Sequence, residues 1–411
     1  MSSRRFKFLK IENYIIYHFP YLRHFKYMMI NKKIKHNGKL YYQQRLQQSL
    51  NSCLRPLQLT KLREKPGGHL IELSNICNLK CPMCGTHLAK RKKAHMDLKI
   101  YKRLLERIKD EGVNAVSLHT VGEPLVYPWL KEAISIAKKM GIEVLISTNA
   151  NLHQRLKSVY EANPDWVKGF RFSVDAATPE TYEKIRVDGK LAKVIESCEW
   201  VVKTNKRRHM SNISLFINCV ISKENIKEMA TFFRVFSKYT FPENIHFALI
   251  NSLTPDTNYF DEKKLPFPNL YQRKIPCSTV FNSIFFNNKG KATLCCRDYD
   301  DQLIIGDAVE QPISKIWRSE IAQKIRRQHL QEEEMVIPQC KQCCVSKPGV
   351  GRALDDFIHL LQFTSPNFNN QEWSEKILSF LENLNSLLDK SETGQQKEVL
   401  TMIESFVSKG S

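Results

Sequence analysis

Between residues 69 and 250 short apolar runs alternate with amphipathic helical stretches, and this alternation restricts the chain to an α/β architecture. The candidate strands are His69–Leu73, Ala115–His119, Glu143–Ser147, Gly169–Val174, Ser214–Ile221 and Ile245–Ile250. Helical stretches lie near residues 97–111, 128–140, 152–163, 179–206 and 224–239, with Asp97 and Ser222 as N-caps. Strands that alternate with helices pair in parallel through right-handed crossovers. An open doubly wound sheet and a partial (β/α)6 barrel of TIM type both fit. In either, chemistry belongs in the loops after the C-terminal ends of the strands.

Beyond residue 276 the pattern changes. Thr279–Phe286 and Lys291–Cys295 read as a β-hairpin turning through Asn287–Gly290. An amphipathic helix is expected at about 312–329. The tail over 352–411 is expected to be helical, with Ile377, Leu381, Leu384 and Leu388 on one apolar face and Ser391–Gln396 as a polar break. The expected divisions are a basic extension at 1–65, a core at 66–255, a small α+β domain at 256–350 and a helical tail at 351–411.

The chain has 411 residues, of which 42% are hydrophobic, so it can bury a core and is not mostly disordered. Its apolar runs are too short for a transmembrane helix. No secretory signal is expected, because Glu12 and Asn13 interrupt the place of its apolar core. The expected location is cytoplasmic. The formal charge of +21 is uneven: residues 1–65 carry 15 Lys/Arg against 2 Asp/Glu, and residues 352–411 carry 5 against 9.

Eight of the twelve cysteines fall into clusters, which in a chain of this length without a signal peptide points to metal rather than disulfides, while Cys53, Cys198, Cys219 and Cys277 stand alone. Cys77, Cys81 and Cys84 follow the first strand with the spacing C-x3-C-x2-C. Three thiolates on one loop do not close a four-ligand zinc site. They can hold three irons of a [4Fe–4S] cluster and leave the fourth iron open to a small molecule.

This spacing resembles the signature of the radical S-adenosylmethionine (SAM) superfamily, and other segments strengthen the resemblance. Val121-Gly122-Glu123-Pro124 is similar to the family's Gly-Gly-Glu motif for the methionine amino group, with Val121 in place of the first Gly. Ser147-Thr148-Asn149 resembles Thr-Asn-Gly with Ala150 replacing the Gly. Ser173-Val174-Asp175-Ala176 looks like the ribose- and carboxylate-contacting segment, and Arg186 belongs to the same stretch. Met83 stands where the family usually has an aromatic near adenine. The resemblance covers about residues 69–345.

It implies a partial barrel in which Cys77, Cys81 and Cys84 hold the cluster and Gly122, Glu123, Asn149, Ser173, Asp175 and Arg186 contact SAM. SAM would chelate the open iron and be cleaved reductively to methionine and a 5′-deoxyadenosyl radical, which abstracts hydrogen from a substrate C–H bond. A reductant such as flavodoxin or ferredoxin is implied as partner. Taken singly, each piece has a plainer reading: zinc for the cysteine loop, a cap for Glu123, a turn for Asp175.

The later cysteines resemble the SPASM or shorter twitch domain of a radical SAM subgroup. Cys277, Cys295, Cys340 and Cys343 would supply one auxiliary [4Fe–4S] cluster. Cys296 and Cys344 read as packing residues, since adjacent strand side chains point to opposite faces. Cys53, Cys198 and Cys219 read as structural.

Residues 4–36 interleave basic and aromatic side chains around Pro20. They suit packing on the barrel, an anionic membrane surface or, less well, nucleic acid. Lys90–Lys93 reads as a solvated turn or a contact to an anionic substrate. The expected function is radical SAM oxidation or modification of a small polar or glycan-type substrate, with no catalytic side chain singled out. The alternatives are a peptide or protein maturase of the same superfamily, or a non-catalytic zinc protein associated with RNA.

Overall fold

Six strands, β1 (Gly68–Ile71), β2 (Ala115–Leu118), β3 (Glu143–Thr148), β4 (Val167–Ser173), β5 (Ser214–Ile221) and β6 (Ile245–Leu249), pair in parallel in chain order. The computed structural model describes residues 38–54, 61–207, 213–251, 258–271, 277–330, 340, 343, 349–389, 401 and 403. Each crossover carries helix, as in a partial (β/α)6 barrel. Side chains alternate across each strand. Phe170 and Phe172 of β4 are sealed on the helix side, where Phe170 meets Tyr160 and Trp200. Arg171 and Ser173 take the opposite face and remain partly exposed.

The second domain continues this sheet. Strand β7 (Ser283–Phe286) runs parallel to β1, and β8 (Lys291–Thr293) and β9 (Ile304–Asp307) extend it antiparallel, giving nine strands in the order β6-β5-β4-β3-β2-β1-β7-β8-β9. The hairpin turn lies at Asn287–Gly290 as expected, with Gly290 at φ +76°. Its first strand is shorter than expected, because Thr279–Asn282 forms a helical turn.

Other elements depart from the expected helices in ways that position the site. The stretch 179–206 is two helices, Pro179–Ile185 and Leu191–Arg207. Between them Asp188 takes φ +71°, and the Val187 carbonyl accepts from Lys80 N at 3.0 Å. The break therefore carries Arg186 up to the first cysteine loop. The stretch 312–329 likewise divides into Ile313–Trp317 and Glu320–Leu330. Asp97 caps Leu98–Asp110 by accepting from Lys99 N at 2.6 Å. Ser222 accepts from Glu224 N at 3.2 Å in a turn ahead of Ile226–Glu228 and the helix Met229–Phe236.

The ends of the chain pack together. Helix Val350–Thr364 lies along β6, where Asp355 accepts from Phe247 N and His359 Nε2 meets Ile245 O, both at 2.9 Å. These contacts satisfy polar groups of an edge strand. The helix at 38–54 lies against it through Ser49–Asp356 (2.6 Å), Arg45–Asp356 (2.8 Å) and the stacked rings of Tyr42 and Phe363. Part of the basic segment is thus packing. Residues 1–37 and Ser391–Gln396 lie outside the described residues. Ile377, Leu381 and Leu384 of helix Asn370–Asp389 are buried, and Leu388 packs against the core. Cys53, Cys198 and Cys219 are buried in the core. Among the described residues, no helix is long and apolar enough to cross a membrane.

Candidate active site

The loop after β1 carries Cys77, Cys81 and Cys84 across the C-terminal end of the parallel sheet. N–H donors face its sulfurs. Leu79 N lies 3.4 Å from Cys77 Sγ, Asn149 Nδ2 lies 3.9 Å from the same sulfur, and Arg186 Nη1 lies 3.8 Å from Cys81 Sγ. Burial pushes the Cys77 thiol up to about 12, so its proton must leave when a metal binds. Burial also raises Cys81, with the Arg186 charge opposing it.

Gly122 lets this loop close. It sits at φ +78°, and a Cβ there would drive into the Ser74 carbonyl and stand 2.8 Å from that of Ile76. Only glycine accepts both the backbone angle and the approach. Glu123 N then donates to Ile76 O at 2.8 Å. The buried Glu123 carboxylate accepts from Leu125 N at 3.0 Å and from Asn149 N at 2.8 Å. It caps the Pro124–Val126 turn and ties β2 to β3. Burial raises its pKa, and the Thr148 hydroxyl leads the opposing hydrogen bonds.

Asp175 is fully buried, at φ +70°. Its Oδ1 accepts from Val220 N at 2.8 Å, and its Oδ2 pairs with Arg186 Nη2 at 2.5 Å. The Asp175 carboxylate is therefore engaged within the protein, and it holds the guanidinium that faces Cys81. Asn149 also reaches Asn78 Oδ1 at 2.9 Å. Ser173 ends β4 on the inner face, in register with Asn218. Lys90–Lys93 is not uniformly solvated: Lys90, Lys92 and Lys93 are exposed, whereas Arg91 is engaged within the fold. Arg91 is buried, 2.7 Å from Glu72 and 2.9 Å from Asp301. Asp300 accepts from Lys90 N at 2.7 Å and from Arg91 N at 3.1 Å, clamping the first loop to the second domain.

The second cysteine set gathers beyond β7. Arg297 N lies 3.4 Å from Cys295 Sγ. Burial raises Cys296, and Arg297, Cys277 and Cys343 are near enough to act on it. Cys296 thus sits among the expected ligands. Cys344 lies outside the described residues. His329 was not foreseen: its Nδ1 accepts from Cys277 N at 3.2 Å, which leaves Nε2 to donate toward Cys340 Sγ at 3.7 Å. Its place in the last turn of a helix before Cys340 was the one available signal. Tyr299 lies between the two sets. Burial first, then Cys84 and thereafter Arg297, Cys296 and Cys295, act on its hydroxyl, whose pKa rises overall.

Two family models match: the radical SAM superfamily over residues 71–235, and the iron–sulfur cluster-binding SPASM domain over residues 277–344. The chain is a radical SAM protein with a SPASM domain. This radical SAM chain is 27% identical over 191 residues to the tungsten-containing aldehyde ferredoxin oxidoreductase cofactor-modifying protein of Pyrococcus furiosus, covering 46% of this chain and 51% of that protein. It is 30% identical over 138 residues to a GTP 3′,8-cyclase of Alkaliphilus metalliredigens, covering 31% and 41%. It is 27% identical over 170 residues to a PqqA peptide cyclase of Methylorubrum populi, covering 41% and 42%. The chain spans about half the length of these curated relatives. Two solved structures share the fold. Streptococcus suis SuiB bound to precursor peptide SuiA has a TM-score of 0.51 at 17% identity, covering 79% of each chain. The structure of anSMEcpe with bound AdoMet has a TM-score of 0.50 at 15% identity, covering 78% of this chain and 98% of that one.

Radical SAM membership implies a [4Fe–4S] cluster and SAM, and the SPASM domain implies an auxiliary cluster. The donor set fits: three loop cysteines, and N–H groups directed at cysteine sulfur in both sets.

Proposed function

We propose that the chain is an enzyme that cleaves SAM reductively and removes hydrogen from a C–H bond of a small polar or glycan-type substrate. The observation that carries this reading is the Cys77–Cys81–Cys84 loop closed over Gly122, with Leu79 N, Asn149 Nδ2 and Arg186 Nη1 facing its sulfurs. A [4Fe–4S] cluster held there would supply the electron for reductive cleavage of SAM.

The chain's own residues hold, orient and exclude. Cys77, Cys81 and Cys84 would ligate the first cluster, and Gly122 lets the backbone approach the Ser74 and Ile76 carbonyls of their loop. Asn149 and Ser173 would contact SAM, while Asp175 pairs with Arg186 and Glu123 accepts from Asn149 N, holding both residues in place. Arg186 places a positive charge against Cys81, which favours the thiolate. Cys277, Cys295, Cys340 and Cys343 hold the auxiliary cluster. The functional units follow as 66–255 for the core and 256–350 for the auxiliary domain.

A flavodoxin or ferredoxin supplies the electron. The PqqA peptide cyclase relative supports a peptide substrate as the second reading. The 15 Lys/Arg among residues 1–65 support peripheral docking on an anionic membrane face. The test is anaerobic reconstitution of the full chain followed by SAM and dithionite. Equal amounts of 5′-deoxyadenosine and methionine are expected. Stoichiometric zinc with intact SAM overturns the proposal.

A further inference from the structure

The inner and outer faces of the barrel differ in chemistry. Outward side chains of β2 to β5, such as Val116, Leu118, Val144, Ile146, Phe170, Phe172, Leu215 and Ile217, are apolar and sealed. The inner face instead carries Ser117, His119, Ser147, Arg171, Ser173, Phe216 and Asn218. Most of these are only partly buried, and apart from Phe216 they are polar; Leu145 lies on the same face.

One row of this face centres on Arg171. Ser147 on β3 and Phe216 on β5 flank it in register. Among the described residues the Arg171 guanidinium has no hydrogen bond and no ion pair. Its guanidinium lies over the Phe216 ring, 5.6 Å from the centroid. A ring contact of this kind uses none of the N–H donors, so the guanidinium fork can still donate two bonds to a planar anion. Burial lowers the pKa of Arg171, and among the described residues no carboxylate offsets it. Burial and the Arg171 charge together hold His119 down at about 4, so that ring stays neutral beside the cation. Ser147 Oγ and Asn218 Oδ1 are buried without hydrogen-bond partners among the described residues. An unpaired cation inside a fold costs free energy, which a bound anion recovers.

We propose that Arg171 binds an anionic group of the substrate, a carboxylate or a phosphate, inside the barrel one layer below Ser173. The guanidinium edge takes two oxygens of that group, and the Ser147 hydroxyl, in the adjacent register position, can donate to a third. Arg171 thereby sets which substrates enter and how they lie under the radical site. This rests on the reading of the barrel as a substrate chamber.

The test is calorimetric titration of the anaerobically reconstituted full chain with succinate and, separately, with inorganic phosphate at low salt. One of the two is expected to bind saturably, which distinguishes carboxylate from phosphate. Arg171→Met is expected to weaken that binding by about tenfold or more, and Arg171→Lys by less, since it keeps the charge but loses the fork. Lys168→Met, an exposed change on the same strand, is expected to leave it unchanged. Absence of saturable binding by both anions, or equal affinity in wild type and Arg171→Met, overturns the inference. Assaying SAM cleavage in the same preparation separates the two claims. Cleavage without anion binding refutes only the Arg171 site, and anion binding without cleavage refutes only the radical SAM activity.

Discussion

Arg186 Nη2 stands 2.5 Å from Asp175 Oδ2, a buried ion pair that aims the other guanidinium nitrogen at Cys81 Sγ. Burial raises Asp175, and the Arg186 charge opposes that rise more than any other group. Arg186→Met leaves a buried carboxylate uncompensated, at an expected cost of about 3–5 kcal/mol in urea unfolding. Asp175→Asn combined with Arg186→Met should cost less than Arg186→Met alone. A double variant as unstable as the sum of the two singles would show that the residues act independently.

Gly122 tests the closure of the first loop. Gly122→Ala forces a Cβ against the Ser74 carbonyl at a positive φ. Iron per chain after reconstitution is expected to fall to the auxiliary cluster alone, about half of the wild-type content. Unchanged iron content would mean that the loop tolerates displacement there.

The parallel core was readable because each strand pairs a sealed outer face with a helix next in sequence. The pairing of β7 with β1 was not. It joins residues more than two hundred positions apart, and neither strand's side chains encode the partner. The break after Ile185 was hidden because its cause is distant: the Val187 carbonyl meets Lys80 N. In the site, the cysteine spacing and Gly122 were legible because loop chemistry is local. Asp175 and Arg186 were legible as residues that matter, while their bond to each other was not. Arg91 looked like part of a basic surface run, and only the fold brings Glu72 and Asp301 to it.

His329 sets a third expectation. Its Nδ1 accepts from Cys277 N, so Nε2 carries the proton directed at Cys340. Hydrogen bonds to cluster sulfur raise reduction potential. His329→Leu is expected to keep the auxiliary cluster and move its midpoint potential to more negative values in a redox titration. An unchanged potential at full iron loading would remove this role.

His69 predicts a pH effect. It is buried with Nε2 lacking a partner among the described residues, and burial holds its pKa at about 4, with Glu111 opposing. The unfolded ring protonates near about 6.5. The unfolded state therefore binds the extra proton between these values, and stability falls as pH drops from about 6.5 to 4. His69→Phe, which retains a ring against Phe286, should gain stability relative to wild type across that window and show a constant difference above it. A difference that does not vary with pH would contradict this.

The most direct measurement is 5′-deoxyadenosine formed by wild type, Cys81→Ala and Cys343→Ala after anaerobic reconstitution and dithionite reduction. Wild type should carry about eight irons per chain and each variant about four. Cys81→Ala should form no 5′-deoxyadenosine, whereas Cys343→Ala should still cleave SAM without coupling it to substrate. No cleavage by fully loaded wild type, or equal loss of cleavage in both folded variants, would contradict a radical site at Cys77–Cys84 served by a separate auxiliary cluster.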